Sequence, residues 1–324
     1  MKIIFVTGHR KSGTSVFHKL FEGHTEANSF PVDISVFYAY FPCFVASGPE
    51  QENLLCRLRV VLEKVTAPME GRVPAGGGRA FAFSAFWDHF RAGLRPGDTG
   101  RRSKVLRRVL EAFAETIAAD PEKTWVVKET SQAIFARELL TDFSDMKMLN
   151  LLRDPRDNYA ALKTGVGTYY ARLGEDEKKT LASLINRARV DFLCSNAMSA
   201  EFSDRFLSVR FEDVAQETDA TMRKVADFCG LAFDPVLLSP TFLGGGYAGN
   251  SHEGTVFSGV SAENIGRWRE RISDDEAMII EFWMRGVMEE FDYPPAYPPG
   301  DAAAAFAGFY EWYNCTYFFK DSFA

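Results

Sequence analysis

The segment Gly8–Ser15 (GHRKSGTS) constrains the fold of this chain more than any other feature. It follows an apolar, β-branched run at residues 2–7, and a helical pattern of apolar side chains begins at about Thr14. Its two glycines have the spacing of a P-loop, but Thr14 stands in the lysine position and the lysine is Lys11. A strand, a glycine loop and a helix N-terminus point backbone N–H groups at one place. The segment predicts an anion site in an α/β fold, the alternative being a tight turn that binds nothing.

Three later segments repeat the order of strand and helix. Short apolar runs at Thr124–Val127, Met148–Leu152 and Phe206–Val209 are each followed by a helical pattern. This alternation favours a central parallel β-sheet flanked by helices. Right-handed connections then bring the loops after the strands to one edge of the sheet, where ligands collect. The other helices that the spacing predicts are Asn53–Val65, Ser103–Ala118, Lys178–Phe202, Thr218–Cys229 and Asp274–Phe291.

The charge balance argues against several classes of partner. The chain has 37 Lys and Arg residues against 44 Asp and Glu residues, so no global positive field attracts nucleic acid or an anionic membrane. No apolar stretch approaches the roughly eighteen residues of a membrane span, and the N-terminal residues lack a signal-peptide pattern. The five cysteines and five histidines show no metal-ligand spacing. We expect a cytoplasmic protein without a metal, a nucleic-acid partner or an integral membrane segment.

A kinase that uses Mg²⁺-ATP is one alternative for the glycine loop. Such a kinase has lysine beside the final hydroxyl residue, and an acidic residue at the end of a later strand supports the metal. Here the later strands end in Lys128 and Arg153, so Glu129 and Asp154 each lie one residue beyond the expected position. The pattern disfavours Mg²⁺-ATP. A non-catalytic nucleotide-binding scaffold also stays open.

The sequence resembles the sulfotransferases that use 3′-phosphoadenosine 5′-phosphosulfate (PAPS). Lys11–Ser15 (KSGTS) resembles their 5′-phosphosulfate loop, and Leu151–Asp157 (LLRDPRD) resembles the turn that holds the 3′-phosphate. Val209–Val214, and Gly249–Ser251 leading to Gly266–Glu270, are similar to segments of the bacterial members. The four segments occur in family order. The resemblance implies a P-loop NTPase-like sulfotransferase fold in a single domain over residues 1–293.

The resemblance also implies a reaction and a donor site. A sulfuryl group would pass from PAPS to a hydroxyl, less often an amine, of a small-molecule or glycan acceptor, and adenosine 3′,5′-bisphosphate would be released. Lys11 would stabilise the charge that develops on the leaving phosphate oxygen. Arg153 would pair with the 3′-phosphate. The other residues expected at the donor are Arg10, Ser12, Gly13, Thr14, Ser15, Arg267 and Trp268, together with Thr164, which would substitute for a family serine that is Ala161 here.

The general base is expected where the strand at residues 124–127 ends. Lys128 and Glu129 come directly after this strand, and Glu129 is the strong base there. The alternative is an exposed carboxylate that pairs with Lys128 or caps the helix beginning near Ser131. Cytosolic members of the family carry histidine at the place of Thr130, so His18 and His24 are further candidates.

Two irregular segments complete the prediction. Residues 68–98 are rich in Gly, Arg and Phe, and we expect a lid-like insertion; the alternative is a surface excursion whose aromatic side chains pack on the core. Phe81–Phe86 is, with Trp268, a candidate wall for the adenine. Residues 294–324 form a Pro-rich linker and an aromatic tail, which would dock on its own domain or on a second subunit as a homodimer.

Overall fold

A central parallel sheet organises the chain. The structure is a computed structural model that describes residues 1–42, 45, 53–163, 177–249, 257 and 259–314. In these residues five strands form one sheet in the order β2-β3-β1-β4-β5. The strands are β1 (Ile3–Gly8), β2 (Ala27–Asp33), β3 (Thr124–Lys128), β4 (Met146–Leu152) and β5 (Phe206–Arg210). Every pair of neighbours is parallel, which confirms the predicted α/β fold.

Strand β1 lies in the middle of the sheet. Ile3 pairs with Trp125 of β3 on one side and with Met146 of β4 on the other. All six residues of β1 are buried, as expected for a strand that is covered on both faces. Since the strands are parallel, the segments immediately after β1, β3 and β4 lie at one edge of the sheet.

Strand β2 is the strand of the central sheet that the sequence patterns did not predict. Its sequence, ANSFPVD, contains polar residues and Pro31, which has no N–H to donate to a ladder. As an edge strand, β2 tolerates this loss. The pairing with β3 shifts register between Ser29 and Asp33, and this irregularity places Asp33 opposite Lys128.

Helices cover both faces of the sheet. The helices are α1 (Thr14–Lys19), α2 (Leu54–Thr66), α3 (Phe83–Ala92), α4 (Arg102–Ile117), α5 (Ala136–Asp142), α6 (Pro155–Lys163), α7 (Glu177–Glu201), α8 (Phe211–Gln216), α9 (Thr218–Cys229), α10 (Trp268–Arg271), α11 (Asp274–Glu290) and α12 (Pro299–Asn314). Side chains from α2, α3, α4 and α5 pack on one face of the sheet, and those from α1 and α9 pack on the other. A third core joins α6, α7, α11 and α12. None of the helices in the described ranges is long and apolar enough to cross a membrane.

The two irregular segments contain ordered helices. Within residues 68–98, Phe81, Phe86 and Phe90 are buried in the core against α4, which matches the alternative of aromatic packing on the core. Phe81 and Phe86 are therefore closed to an adenine ring. In the C-terminal segment, Phe309 of α12 packs in the core that α11 also lines. The homodimer through the rest of this tail stays a prediction, because residues 315–324 lie outside the described part.

Candidate active site

The glycine loop after β1 has two residues with positive φ. Lys11 has φ 63° and Gly13 has φ 91°. A Cβ atom at Gly13 would lie 2.3 Å from the ring of Phe211, and one at Gly8 would lie 2.4 Å from the carbonyl oxygen of Leu151. Both glycines are therefore required by the close approach of neighbouring segments and by their backbone conformation, since Gly8 also has a positive φ, at 143°.

Two side chains from the segment after β4 donate hydrogen bonds to the backbone of this loop. Arg153 Nη1 donates to the carbonyl of Lys11 at 2.9 Å, and its Nη2 donates to the carbonyl of Asn264 at 2.8 Å. Asn158 Nδ2, on α6, donates to the carbonyl of Arg10 at 2.7 Å. These contacts fix the backbone of Arg10 and Lys11. The conformation of Lys11, unusual for a residue with a side chain, is thus stabilised from outside the loop.

Arg153 is used differently from the expectation. The guanidinium is buried, and its two terminal nitrogens bind backbone carbonyls, while Nε has no hydrogen-bond partner in the described part of the chain. A bidentate pair with a 3′-phosphate through the two terminal nitrogens would have to replace these bonds. In this structure the Arg153 guanidinium binds the loop backbone. Its positive charge acts on Lys11 from the interior of the protein.

The ammonium of Lys11 lies in a partly buried, cationic environment. Burial lowers the pKa of Lys11, and the positive charge of Arg153 lowers it further, to about 8. Two cations held close to each other are costly, and an anion bound between or beside them removes the cost. The site is therefore suited to an anionic group before any ligand is considered.

The hydroxyl residues of the loop and Arg10 differ in their burial and in their hydrogen-bond partners. Ser12 is buried, and its Oγ donates to the carbonyl of His9 at 2.6 Å, so it closes the loop rather than facing a ligand as expected. Thr14 is also buried, at the start of α1. Ser15 is half-buried, and its hydroxyl is hydrogen-bonded to that of Tyr247. Arg10 is half-buried and its Nη2 donates to the hydroxyl of Tyr38 at 3.3 Å.

The turn between β4 and α6 is itself supported by carboxylates. Glu212 Oε1 accepts a hydrogen bond from the backbone N–H of Asp154 at 2.9 Å. Arg156 pairs with Asp154 and, at 2.6 Å, with Glu281. The turn that carries Arg153 is therefore rigid.

Asp157 anchors the last segment that the sequence assigned to the donor. Its carboxylate accepts from the backbone N–H of Gly266 at 2.6 Å and from that of Trp268 at 2.8 Å. Arg267, between them, has a side chain that is 40% exposed. Trp268 is only 3% exposed and its ring lies 4.6 Å from the guanidinium of Arg156, so in this structure it packs in the interior instead of offering a free face to adenine. Thr164 lies outside the described residues.

Glu129 is not placed to accept a proton from a substrate. It is 0% exposed, and its Oε1 accepts the backbone N–H of Phe37 at 2.7 Å. Burial raises the pKa of Glu129 well above its usual value, and the nearby charge of Asp33 adds to this. Neither the catalytic expectation nor the exposed-carboxylate alternative describes it. The carboxyl holds the short 3₁₀ turn Phe37–Tyr40 against β3 from inside the protein.

Asp33, at the end of β2, is the carboxylate that the sequence patterns missed. Its Oδ2 accepts from Lys128 Nζ at 2.6 Å and from Thr130 Oγ1 at 2.7 Å. The side chain is 28% exposed. Burial alone would raise the pKa of Asp33, but Lys128, Thr130 and Ser35 outweigh it and hold the pKa below its usual value. Asp33 is ionised at neutral pH, and Lys128 orients it.

The two histidines proposed as further bases are interior residues. His18 is buried and its Nε2 is hydrogen-bonded to the hydroxyl of Ser29 at 3.2 Å. His24 is buried too, and its ring bonds the carbonyl of Ala232 and the backbone N–H of Glu26. Within the described part of the chain, no group of three or more His, Cys, Asp or Glu residues is arranged to hold a metal ion.

The fold and the loop together define a P-loop-like α/β protein. A model of the sulfotransferase family matches residues 4–235. The sulfotransferase domain of the Synechococcus PCC 7002 olefin synthase is 17% identical, with a TM-score of 0.54, over 91% of this chain and 95% of that chain. The sulfotransferase domain from the curacin biosynthetic pathway is 16% identical, with a TM-score of 0.57, over 90% of this chain and 98% of that chain. No curated protein matches. Because the family model covers most of its length, this chain belongs to the sulfotransferase family.

Proposed function

We propose that this protein transfers a sulfuryl group from PAPS to an acceptor hydroxyl and releases adenosine 3′,5′-bisphosphate. The observation that carries the proposal is the clamp of Arg153 on the carbonyl of Lys11, which holds a lysine-bearing anion loop in one conformation. Preorganised cations at the place where charge develops lower a barrier more than cations that merely bind the substrate. Lys11 is the residue that meets the leaving phosphate oxygen.

The donor side fits the charge of this co-substrate. PAPS carries two anionic ends, and the chain supplies two basic turns at one edge of the sheet, after β1 and after β4. Lys11 and Ser15 receive the 5′-phosphosulfate. The 3′-phosphate is assigned to Arg267, whose side chain is 40% exposed and pairs with Glu270 at 3.7 Å, and whose neighbours contact Asp157 of α6. The positive charge of Arg153 supports both from the interior.

Asp33 replaces Glu129 as the general base in the proposed mechanism. The acceptor O–H bond breaks, its proton passes to Asp33, and the oxygen forms a bond with sulfur while the bond from sulfur to the phosphate oxygen breaks. Asp33 Oδ2 already accepts from Lys128 and Thr130, whereas Oδ1, among the residues that the structure describes, accepts a longer bond from Ser35 at 3.3 Å. Lys128 thus positions the base rather than touching the sulfuryl group.

Thermal unfolding with ligands tests the donor. A ligand at about a hundred times its dissociation constant adds roughly 2.7 kcal/mol to the free energy of unfolding. We expect adenosine 3′,5′-bisphosphate to raise the unfolding temperature in the presence of EDTA. A rise with Mg²⁺-ATP alone would support the kinase alternative and overturn the proposal. Incubation with labelled PAPS and a panel of phenols, sugars and amines then identifies the acceptor by the transfer of label.

A further inference from the structure

The side chain of Tyr38 lies between the glycine loop and the segment that holds the proposed base. Tyr38 belongs to the 3₁₀ turn Phe37–Tyr40, five residues after Asp33. Its hydroxyl accepts a hydrogen bond from Arg10 Nη2 at 3.3 Å and donates one to the carbonyl of Thr130, also at 3.3 Å. The sequence patterns did not assign Tyr38 to the site. In the structure it links the donor side of the site to the side where the base lies.

The turn that carries Tyr38 is anchored in the core. The ring of Phe37 is buried, edge-on to Phe5 of β1 with 6.0 Å between the ring centres, and stacked on Phe135 at 5.4 Å. The backbone N–H of Phe37 donates to the buried carboxyl of Glu129 at 2.7 Å. These contacts act on Phe37 and not on the hydroxyl of Tyr38. A change that removes only this hydroxyl therefore leaves the anchors of the turn in place.

The two hydrogen bonds of the Tyr38 hydroxyl have defined directions. A guanidinium only donates and a carbonyl only accepts, so the phenol accepts from Arg10 and donates its own proton to Thr130. Burial raises the pKa of Tyr38, and the positive charge of Arg10 opposes this rise without cancelling it. The phenol is therefore protonated at neutral pH and serves both neighbours.

Thr130 extends the link to the base. Its Oγ1 donates to Asp33 Oδ2 at 2.7 Å, while its carbonyl accepts from Tyr38. Hydrogen bonds thus connect the Arg10 guanidinium to Asp33 through Tyr38 and Thr130. In an in-line transfer the sulfuryl group lies between the leaving phosphate oxygen and the acceptor oxygen, that is, between the loop and the base. The guanidinium of Arg10 is therefore held on the side of the loop where the sulfuryl group must lie.

We propose that Tyr38 is a positioning residue whose hydroxyl holds the Arg10 guanidinium toward the sulfuryl group of PAPS. The sulfuryl oxygens carry negative charge, and hydrogen bonds between a guanidinium and an anion are among the stronger ones in proteins. A cation that is oriented before the reaction stabilises the transferring group without further reorganisation. This inference rests on the proposed function and adds to it a residue that acts through Arg10.

The test compares Tyr38→Phe with Tyr40→Phe in the same turn. Both hydroxyls donate to a backbone carbonyl, that of Tyr40 to Thr99 at 3.1 Å, and Tyr38→Phe also removes the bond from Arg10. Calorimetry without an acceptor measures the Kd of PAPS and that of adenosine 3′,5′-bisphosphate, which has no sulfuryl group. We expect Tyr38→Phe to raise the Kd of PAPS about tenfold, the lower limit for a hydrogen bond to a charged group, and to leave that of the bisphosphate unchanged.

Tyr40→Phe is expected to leave both dissociation constants unchanged and to have an unfolding temperature close to that of Tyr38→Phe. An equal rise in the Kd of PAPS and of the bisphosphate would overturn the inference, because the effect would then not depend on the sulfuryl group. Equal values of the Kd of PAPS in the two variants would also overturn it. A much lower unfolding temperature of Tyr38→Phe would assign the hydroxyl a structural role instead.

A double-mutant cycle with Arg10→Ala identifies the route of the effect. If Tyr38 acts through Arg10, then Tyr38→Phe adds nothing to the loss of PAPS affinity that Arg10→Ala causes. Additive losses would overturn the inference and leave the proposed function standing. A wild-type protein that binds neither PAPS nor adenosine 3′,5′-bisphosphate overturns the proposed function, and this inference with it.

Discussion

The guanidinium of Arg153 donates a hydrogen bond of 2.9 Å to the backbone carbonyl of Lys11, across 142 residues of sequence. The bond acts on the one loop residue whose side chain carries the central cation and whose φ of 63° is unusual for a residue with a side chain. The backbone of Lys11 is thus held by a side chain from the turn after β4. Arg153 can therefore be changed to test the loop while the Lys11 side chain is kept.

Arg153→Lys is expected to damage the loop although it keeps the positive charge. A lysine ammonium cannot reproduce the planar fork that reaches both Lys11 and Asn264, so at least one of these part-buried carbonyls loses its partner. An unsatisfied acceptor that is fully buried costs about 1–3 kcal/mol, so a part-buried one is expected at the low end, about 1 kcal/mol. Chemical denaturation measures this loss, and calorimetry with adenosine 3′,5′-bisphosphate measures the accompanying fall in affinity. Arg223→Lys, in the exposed pair with Asp219, is the matched control. An Arg153→Lys variant as stable as this control would contradict the clamp.

The activity is expected to fall at alkaline pH as Lys11 loses its proton. Burial and Arg153 lower the pKa of Lys11 to about 8. The protonated form stabilises the leaving group, so kcat/KM for the donor is constant below this pKa and falls about tenfold per pH unit above it. Lys11→Arg keeps a cation that does not titrate in this range, so its profile stays flat at a lower level. Lys64→Arg, on the exposed side of α2, serves as the control. The same alkaline limb in Lys11→Arg would assign the pKa to another group.

Asp33→Asn is expected to lower turnover strongly, whereas Glu129→Gln is expected to leave most of it. Removal of a general base costs roughly 100- to 10,000-fold in rate, and Asp33→Asn should lower kcat within that range without weakening donor binding. Because this change would leave the Lys128 ammonium without its carboxylate, thermal unfolding is measured in parallel. Glu129→Gln keeps an oxygen for the N–H of Phe37 and should retain most activity. If Glu129→Gln were the inactive variant and still bound the bisphosphate, Glu129 would be the base after all.

Gly13→Ala is expected to be far more harmful than Gly230→Ala. Both glycines have positive φ, at 91° and 68°, so alanine is strained at each by about 1–2 kcal/mol. A Cβ at Gly13 would also lie 2.3 Å from the Phe211 ring, whereas a Cβ at Gly230 meets no atom within 4 Å. Denaturant unfolding should place Gly13→Ala at least about 1–3 kcal/mol below Gly230→Ala, the cost of an overpacked contact. Equal losses would show that Phe211 moves away without cost.

The sheet was largely predictable because its interior strands are apolar on both faces. The runs that predicted β1, β3, β4 and β5 contain few polar residues, and the glycine loop marked the turn from β1 into α1. Strand β2 was not predictable by the same rule, since Pro31 and the polar residues before it erase the pattern. A proline in an edge strand lowers the stability of the sheet little, but it interrupts the pattern from which a strand is predicted.

The proposed base, Asp33, was not predictable for a related reason. Asp33 belongs to the missed strand, and only the pairing of β2 with β3 brings it to Lys128. Glu129 comes after a clear strand, but sequence position does not say that its side chain turns inward to Phe37. The loop residues were identified, whereas the inward direction of Ser12 and the use of Arg153 on backbone carbonyls depend on three-dimensional contacts.

The central position of β1 has a consequence for how the chain folds. Its two neighbours, β3 and β4, begin at Thr124 and Met146, so β1 is translated long before either strand that completes its hydrogen bonds. Contacts between distant parts of a chain form slowly, because a long loop must close before they give any stability. A nascent chain that ends before Met146 therefore leaves the backbone N–H and C=O groups on one side of β1 without their strand partners. We infer that this strand needs protection during synthesis, and that the anion loop is among the last parts of the protein to become ordered.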